Sequence, residues 1–133
     1  MIVVDTNIIS YFFLPTSFTE KATRAYETDP AWIAPQLWCS EFRNVLALYM
    51  RKGLVTFEDA ISIQSEAESL MIGNEFEVQS QHILALINNC ACSAYDCEFI
   101  ALAQQLSLKL LTEDKKILRE FPKIAITLDQ YLN

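Results

Sequence analysis

Residues 2–7 read I-V-V-D-T-N, and this opening stretch decides how the rest of the chain is organised. Three consecutive β-branched residues are typical of a short strand that is buried on both faces. Asp5, Thr6 and Asn7 follow at once, and such residues are common where a chain leaves a strand and begins a helix. The stretch predicts a central strand with a carboxylate at its carboxyl end.

Similar short apolar runs alternate with helical patterns along the whole chain. Strands are predicted at 2–4, 32–34, 109–111 and 124–127, with 75–78 ambiguous, and helices at 8–14, 19–28, 36–52, 57–71, 79–88, 93–107 and 115–120. Strands that alternate with helices indicate a parallel sheet with helices on its faces. The predicted fold class is α/β, a three-layer α/β/α sandwich, and the length of 133 residues fits one domain over 1–133.

The composition is that of a compact protein, with 52% hydrophobic residues, 20% charged residues and only 2 glycines. No apolar run reaches the roughly 18 residues of a membrane helix, and no secretion signal is present at the N-terminus. A cytoplasmic protein with no membrane partner is expected. Its cysteines (Cys39, Cys90, Cys92 and Cys97) are then expected to be free thiols, and a zinc site is disfavoured because they form no C-x-x-C pair.

The net charge of −7 is unfavourable for a nucleic-acid partner, but the charge is unevenly distributed. Residues 53–108 hold eight acidic residues and no lysine or arginine, whereas the rest of the chain holds ten basic and nine acidic residues. Most carboxylates of this acidic segment are expected to form a solvated face.

Two aspartates follow predicted strands. Asp5 comes directly after residues 2–4, and Asp114 comes three positions after Leu111. Ligands of open parallel sheets bind beyond the carboxyl ends of the strands, so both side chains are expected to point into one crevice. The alternative for each is that it caps the helix that follows it.

Glu41 is predicted to lie on the apolar side of its helix. Four apolar residues at three-to-four spacing mark the expected buried face: Trp38, Phe42, Val45 and Tyr49. At about 100° per residue Glu41 falls between Val45 and Leu48. A buried carboxylate is costly unless it is neutralised, paired or bound to a metal, so Glu41 indicates either a functional site or a salt bridge to Arg43 or Arg24.

Asp96 repeats this pattern on the helix after Ser93. The predicted buried stripe is Tyr95, Phe99, Leu102 and Leu106. Asp96 projects between Ile100 and Ala103, and the alternative is a capping box with Ser93. Four clustered carboxylates raise one another's pKa values unless a cation binds, and oxygen donors without histidine or cysteine favour Mg²⁺ or Mn²⁺ over zinc.

Around these four residues the sequence resembles the PIN-domain family, and within it the VapC-type toxins. The matching segments are V-V-D-T-N-I at Asp5, S-E-F-R-N-V-L at Glu41, S-A-Y-D-C-E-F-I-A-L-A at Asp96 and L-L-T-E-D-K-K-I-L at Asp114. The resemblance spans essentially the whole chain, and four segments in order make it specific. One departure is Cys97, where the family usually has a small residue such as alanine.

The resemblance implies a three-layer PIN fold and a Mg²⁺- or Mn²⁺-dependent endoribonuclease, the toxin of a type II toxin–antitoxin pair. Asp5 and Asp96 would be the principal metal ligands, while Glu41 and Asp114 would complete the acidic pocket and Glu41 would help activate the attacking water. The resemblance also implies braces for these carboxylates, RNA as substrate, a homodimer and a VapB-like antitoxin. The braces would be Thr6, Asn7 and Thr112.

Candidate phosphate contacts for RNA are Arg43, Lys115 and Lys116. The acidic segment leaves open a catalytically weak or inactive PIN-type module that binds proteins. A phosphatase of the haloacid dehalogenase type is disfavoured because its D-x-D motif would need an aspartate where this chain has Asn7.

Overall fold

The computed structural model describes residues 1–133 and contains one five-stranded sheet. The strands are β1 (Ile2–Val4), β2 (Trp32–Pro35), β3 (Glu75–Phe76), β4 (Leu110–Leu111) and β5 (Ala125–Ile126). They lie in the order β3-β2-β1-β4-β5, and every neighbouring pair is parallel. The first two residues of the ambiguous segment 75–78 form the edge strand β3. The predicted α/β fold class with a parallel sheet is confirmed.

Eight helices connect and flank the strands. They are α1 (Thr6–Phe13), α2 (Thr19–Thr28), α3 (Leu37–Arg51), α4 (Phe57–Met71), α5 (Ser80–Ile87), α6 (Ala94–Leu106), α7 (Lys115–Glu120) and α8 (Leu128–Leu132). The short helix α8 was not predicted, although it begins at a capping box between Thr127 and Gln130.

The strand order determines on which face each helix lies. Crossovers between parallel strands are right-handed, so α1 to α4, which connect β1 to β2 and β2 to β3, lie on one face of the sheet. The chain then crosses back from β3 to β4, which puts α5 and α6 on the other face. Accordingly α6 packs on β1, β2 and β4 with α5 against it, while α1 contacts α2 and α3. Helices on both faces complete the three layers.

The central strands form the core. Val3, Val4, Leu110 and Leu111 have no exposed surface, because helices cover both faces of the sheet. A second part of the core is aromatic: Phe12, Tyr26 and Trp32 meet one another with ring centroids 5.0 to 5.5 Å apart. The β-branched run at the start of the chain is therefore the middle of the molecule.

Two predicted helix faces are partly wrong. On α3 the buried residues are Trp38, Phe42 and Leu46, while Leu48 is 48% exposed, so Glu41 lies at the border of the core and not inside it. On α6 the first residue of the predicted stripe, Tyr95, is 62% exposed. Periodicity fixes the angles between side chains on a helix but does not fix how far the core wraps around it.

The acidic segment behaves as predicted over most of its length. Six of its eight carboxylates are exposed, and the two that are half-buried are Asp96 and Glu98. The four cysteines are free thiols, although the sulfur atoms of Cys90 and Cys97 lie 3.7 Å apart. No helix combines the length and the apolar character needed to cross a membrane.

Candidate active site

A pocket opens at the carboxyl edge of the sheet, beside β1 and β4. The strand order reverses between these two strands, because the chain leaves β1 toward one face of the sheet and leaves β4 toward the other. The two connections diverge at this point and leave a crevice between them. The pocket has a volume of about 370 Å³. Its lining residues are Asp5, Thr6, Asn7, Leu37, Ser40, Glu41, Asn44, Val45, Tyr95, Asp96 and Asp114. All four predicted carboxylates therefore face one space.

Asp5 occupies the junction between β1 and α1. It is the N-cap residue of α1, but its side chain makes no capping hydrogen bond, so the capping alternative fails here. Instead Asp5 Oδ2 accepts a hydrogen bond of 2.7 Å from the hydroxyl of Thr112, a buried residue that follows β4. This bond joins the ends of two neighbouring strands and fixes the orientation of the carboxylate.

Asp114 takes both of its predicted roles. As the N-cap of α7 its Oδ1 accepts a hydrogen bond of 3.0 Å from the backbone N–H of Ile117. Its own N–H donates to the hydroxyl of Thr112 at 3.0 Å, so Thr112 connects Asp114 with Asp5. Asp114 also lines the pocket, which means that capping and a place in the site are compatible.

Glu41 reaches the pocket from α3. Its Oε1 accepts a hydrogen bond of 2.7 Å from the hydroxyl of Thr6, the first residue of α1. The alternative of a salt bridge to Arg43 or Arg24 is wrong, because the two salt bridges in the structure join Met1 with Asp29 and Lys21 with Asp129. Glu41 is thus half-buried and braced by a neutral donor.

Asp96 lies in the first turn of α6, and the capping alternative holds only in part. The Ser93 hydroxyl accepts from the backbone N–H of Asp96 at 3.1 Å, which caps the helix. The reciprocal bond of a full capping box is not among the hydrogen bonds of this helix start, whereas α4 and α8 both have it. The Asp96 carboxylate lines the pocket.

The pocket disfavours ionised carboxylates. Burial raises the pKa of Asp5 to about 6; the hydrogen bond from Thr112 opposes this shift, and the charges of Glu41, Asp96 and Asp114 add to it. Burial is also the main cause that raises the pKa of Glu41 and that of Asp96. For Asp96 the Asp114 charge acts in the same direction, while Ser93 and, to a smaller extent, Lys116 oppose the rise in pKa. Negative charge is therefore concentrated here without a basic partner in contact.

The other predicted residues are distributed differently. Thr6 and Thr112 brace carboxylates as expected, and Asn7 lines the pocket. None of the three predicted RNA contacts lines it: Arg43, Lys115 and Lys116. Lys116 lies near Asp96. Arg43 points away, because it follows Glu41 by two residues and so lies roughly 160° around α3 from the face that carries Glu41.

The sequence reasoning missed five lining residues: Leu37, Ser40, Asn44, Val45 and Tyr95. Four of them belong to α3. Leu37, Asn44 and Val45 lie three or four residues from Glu41, so a face centred on Glu41 would have found them, and Ser40 lies beside that face. Tyr95 was assigned to the core because it lies four residues before Phe99.

The donor set suits a hydrated Mg²⁺ or Mn²⁺ ion more than a tightly enclosed metal. No group of three or more His, Cys, Asp or Glu side chains is arranged to hold a metal ion directly. Mg²⁺ does not need such a group, because it keeps several waters and is usually held by one or two carboxylates. The pocket offers four carboxylates, two of them oriented by threonine hydroxyls, and no basic residue in its lining. The residues present therefore fit a hydrated divalent cation.

Comparison with known proteins gives one family and several related structures. The model of the PIN domain family matches residues 2–124. The chain is 28% identical to a curated protein, Ribonuclease VapC3 of Pyrobaculum aerophilum, over 128 residues that make up 93% of this chain and 97% of the relative. The match extends over nearly the full length of both proteins.

Two solved structures share the fold at low sequence identity. The crystal structure of PAE2754 from Pyrobaculum aerophilum has a TM-score of 0.75 and 21% identity, covering 98% of this chain and 92% of that chain. A toxin–antitoxin complex from Klebsiella pneumoniae has a TM-score of 0.69 and 19% identity, covering 96% of this chain and 98% of the other. At these identities the likeness concerns the fold alone.

Proposed function

The chain belongs to the PIN domain family, and on that premise we propose that it is a divalent-metal-dependent endoribonuclease, the toxin of a type II toxin–antitoxin pair. The observation that carries the proposal is that four carboxylates from separate elements face one pocket without a basic residue in its lining. Such a cluster is unfavourable by itself, and a cation that neutralises it gives it a chemical use. The ribonuclease relative over 93% of the chain supports the same activity.

In the proposed site Asp5 and Asp96 hold the metal, and Asp114 and Glu41 complete its surroundings. When bound, the ion would lower the pKa of a water molecule and neutralise negative charge on the phosphodiester. Thr112 holds Asp5 through Oδ2, so that Oδ1 would be the oxygen that binds the metal. Thr6 holds Glu41 through Oε1 in the same way.

Glu41 is the proposed general base. Its Oε2 accepts one proton of the attacking water, whose oxygen bonds to phosphorus while one ester P–O bond of the RNA backbone breaks. The leaving oxygen takes a proton from solvent and departs as a hydroxyl group. Burial raises the pKa of Glu41 above its ordinary value, which makes it a stronger base than a solvated glutamate. Oε1 stays on Thr6, so the carboxylate need not reorient during proton transfer.

The test is cleavage of labelled RNA by the purified chain. We expect the parent to cut single-stranded or looped RNA with Mg²⁺, EDTA to abolish cutting, and Asp5→Asn and Asp96→Asn to lower the rate at least about a thousandfold while remaining folded. Glu66→Gln is the matched control, because it removes an exposed carboxylate of α4 outside the pocket and should leave cutting unchanged.

Cutting that persists in both aspartate variants would contradict the proposal. A folded parent that cuts no RNA would favour the alternative of a PIN-type module that binds proteins.

The proposed partners are RNA, a VapB-like antitoxin and a second copy of the chain. One structural neighbour is a toxin–antitoxin complex, which supports looking for an antitoxin here. Mixing the chain with the product of a neighbouring gene should inhibit cutting, and light scattering should give the mass of a homodimer.

A further inference from the structure

Tyr95 differs from the other large aromatic residues near the sheet. It is 62% exposed and lines the same pocket as the four carboxylates. The aromatic pairs of the structure connect residues of α1, α2, β2 and α3 with their adjoining loops, and Tyr95 belongs to none of them. Its ring therefore has a face available to a ligand.

The position of Tyr95 is fixed relative to Asp96. Both lie in the first turn of α6, where the Ser93 hydroxyl accepts from the N–H of Asp96. Both side chains line the same pocket, so a group on the Tyr95 ring lies in the same space as a group that Asp96 binds.

The pocket also lacks the usual means of holding RNA. None of its eleven lining residues is a lysine or arginine, and the chain carries a net charge of −7. Phosphate contacts ordinarily supply most of the affinity for nucleic acids. Stacking of a base on an aromatic ring needs no positive charge and works with any base. The remaining walls suit a base as well, since Leu37 and Val45 are apolar and Asn44 is an exposed amide.

We propose that Tyr95 stacks on an unpaired nucleobase of the RNA next to the phosphodiester that is cut. This inference rests on the proposed function and adds to it the residue that contacts a base of the substrate. A base in a duplex has both faces covered by its neighbours, whereas an unpaired base can turn onto a protein ring. Cleavage should therefore be restricted to unpaired positions, and a stem that covers the cut site should block it.

The experiment compares Tyr95→Ala, Tyr95→Leu and Tyr95→Phe on oligonucleotides that carry a single abasic position near the cut. On intact RNA we expect kcat/KM to fall about tenfold to hundredfold for Tyr95→Ala, mostly through KM, because one base stack is lost. Tyr95→Leu should resemble Tyr95→Ala, while Tyr95→Phe stays within about twofold of the parent. The exposed position of Tyr95 makes loss of folding unexpected, and a thermal melt verifies this.

The abasic oligonucleotides identify the base. At one position, an abasic site should lower kcat/KM of the parent about as much as Tyr95→Ala does on intact RNA. The same abasic site should not lower kcat/KM of Tyr95→Ala any further. Unchanged cutting by Tyr95→Ala, or equal activity of the leucine and phenylalanine variants, would overturn the proposal. So would abasic and alanine effects that multiply at every position.

Binding separates this inference from the nuclease assignment. Fluorescence anisotropy of single-stranded RNA on the Asp5→Asn background, with and without Tyr95→Ala, measures stacking without cutting. If Tyr95→Ala raises Kd and the parent cuts no RNA, the stacking role is supported and the proposed nuclease function is contradicted. Equal Kd values beside an active parent would overturn stacking alone.

Discussion

The pKa values of aspartates at the two ends of the sheet shift in opposite directions. At the amino end, Asp29 precedes β2 and lies 2.7 Å from the amino group of Met1, which precedes β1. The hydrogen bond from that amino group is the main cause that lowers the pKa of Asp29. At the carboxyl end, burial raises the pKa of Asp5 to about 6, and three further carboxylates face it. The amino end is therefore neutralised within the protein, while the carboxyl end has no internal counter-charge.

The contrast separates a structural carboxylate, Asp29, from one that we propose to be functional, Asp5. Negative charge at Asp29 stabilises the fold, whereas negative charge at Asp5 opposes it. Exposed ion pairs contribute little to stability, and desolvated like charges cost more. A site that destabilises its own protein is a common sign that a ligand is expected there.

Replacing Asp5 should have the largest effect on stability. A carboxyl whose pKa rises to about 6 costs on the order of 3 kcal/mol when ionised, so Asp5→Asn should raise the free energy of unfolding by about 1–3 kcal/mol at neutral pH without metal. Between about pH 4 and 6 the folded parent binds more protons than the unfolded chain, so its stability should fall as the pH rises and then level off.

Urea denaturation in EDTA between pH 4 and 8 measures this effect. The curve of Asp5→Asn should be flatter in that window. A parent whose stability rises from pH 4 to 6 beside an equally rising variant would contradict the assigned cost.

Magnesium should reduce the cost in stability of the negative charge at the carboxyl end of the sheet. Millimolar Mg²⁺ should stabilise the parent by about 1–3 kcal/mol, which corresponds to concentrations of roughly tenfold to a hundredfold above Kd. Asp96→Asn should respond much less, because it loses a proposed ligand. Thermal melts with and without Mg²⁺ decide the matter, with Glu66→Gln as the charge-matched control. An equal response of all three proteins would mean that the ion binds elsewhere.

The amino end should give the smallest effect, of opposite sign. Asp29→Asn should lower the free energy of unfolding by about 0.2–1 kcal/mol at pH 7, as for an exposed ion pair. Because the folded pKa of Asp29 is lowered, its contribution is present above about pH 4 and is lost as the pH falls through the folded pKa. Denaturation at pH 7 and pH 3 checks this, and RNA cutting should not change. If Asp29→Asn were more stable than the parent, negative charge would oppose folding at both ends of the sheet, and the contrast with Asp5 would not hold.

Local patterns carried much of the fold. The β-branched run before Asp5 forms a strand where predicted, and the helices predicted at 19–28 and 57–71 begin and end at those residues. Such features depend on residues within a few positions of one another, so periodicity and cap chemistry are sufficient to find them. The order of the four acidic residues along the chain was likewise enough to indicate the PIN family.

The tertiary structure decided what the four carboxylates contact. The bond from Thr112 to Asp5 spans 107 residues, and the bond from Thr6 to Glu41 spans 35. No local pattern encodes such pairs, because they depend on which strands become neighbours. The turning of Tyr95 toward solvent was decided in the same way: helical spacing relates side chains to each other, but only packing against the sheet determines where the buried face ends.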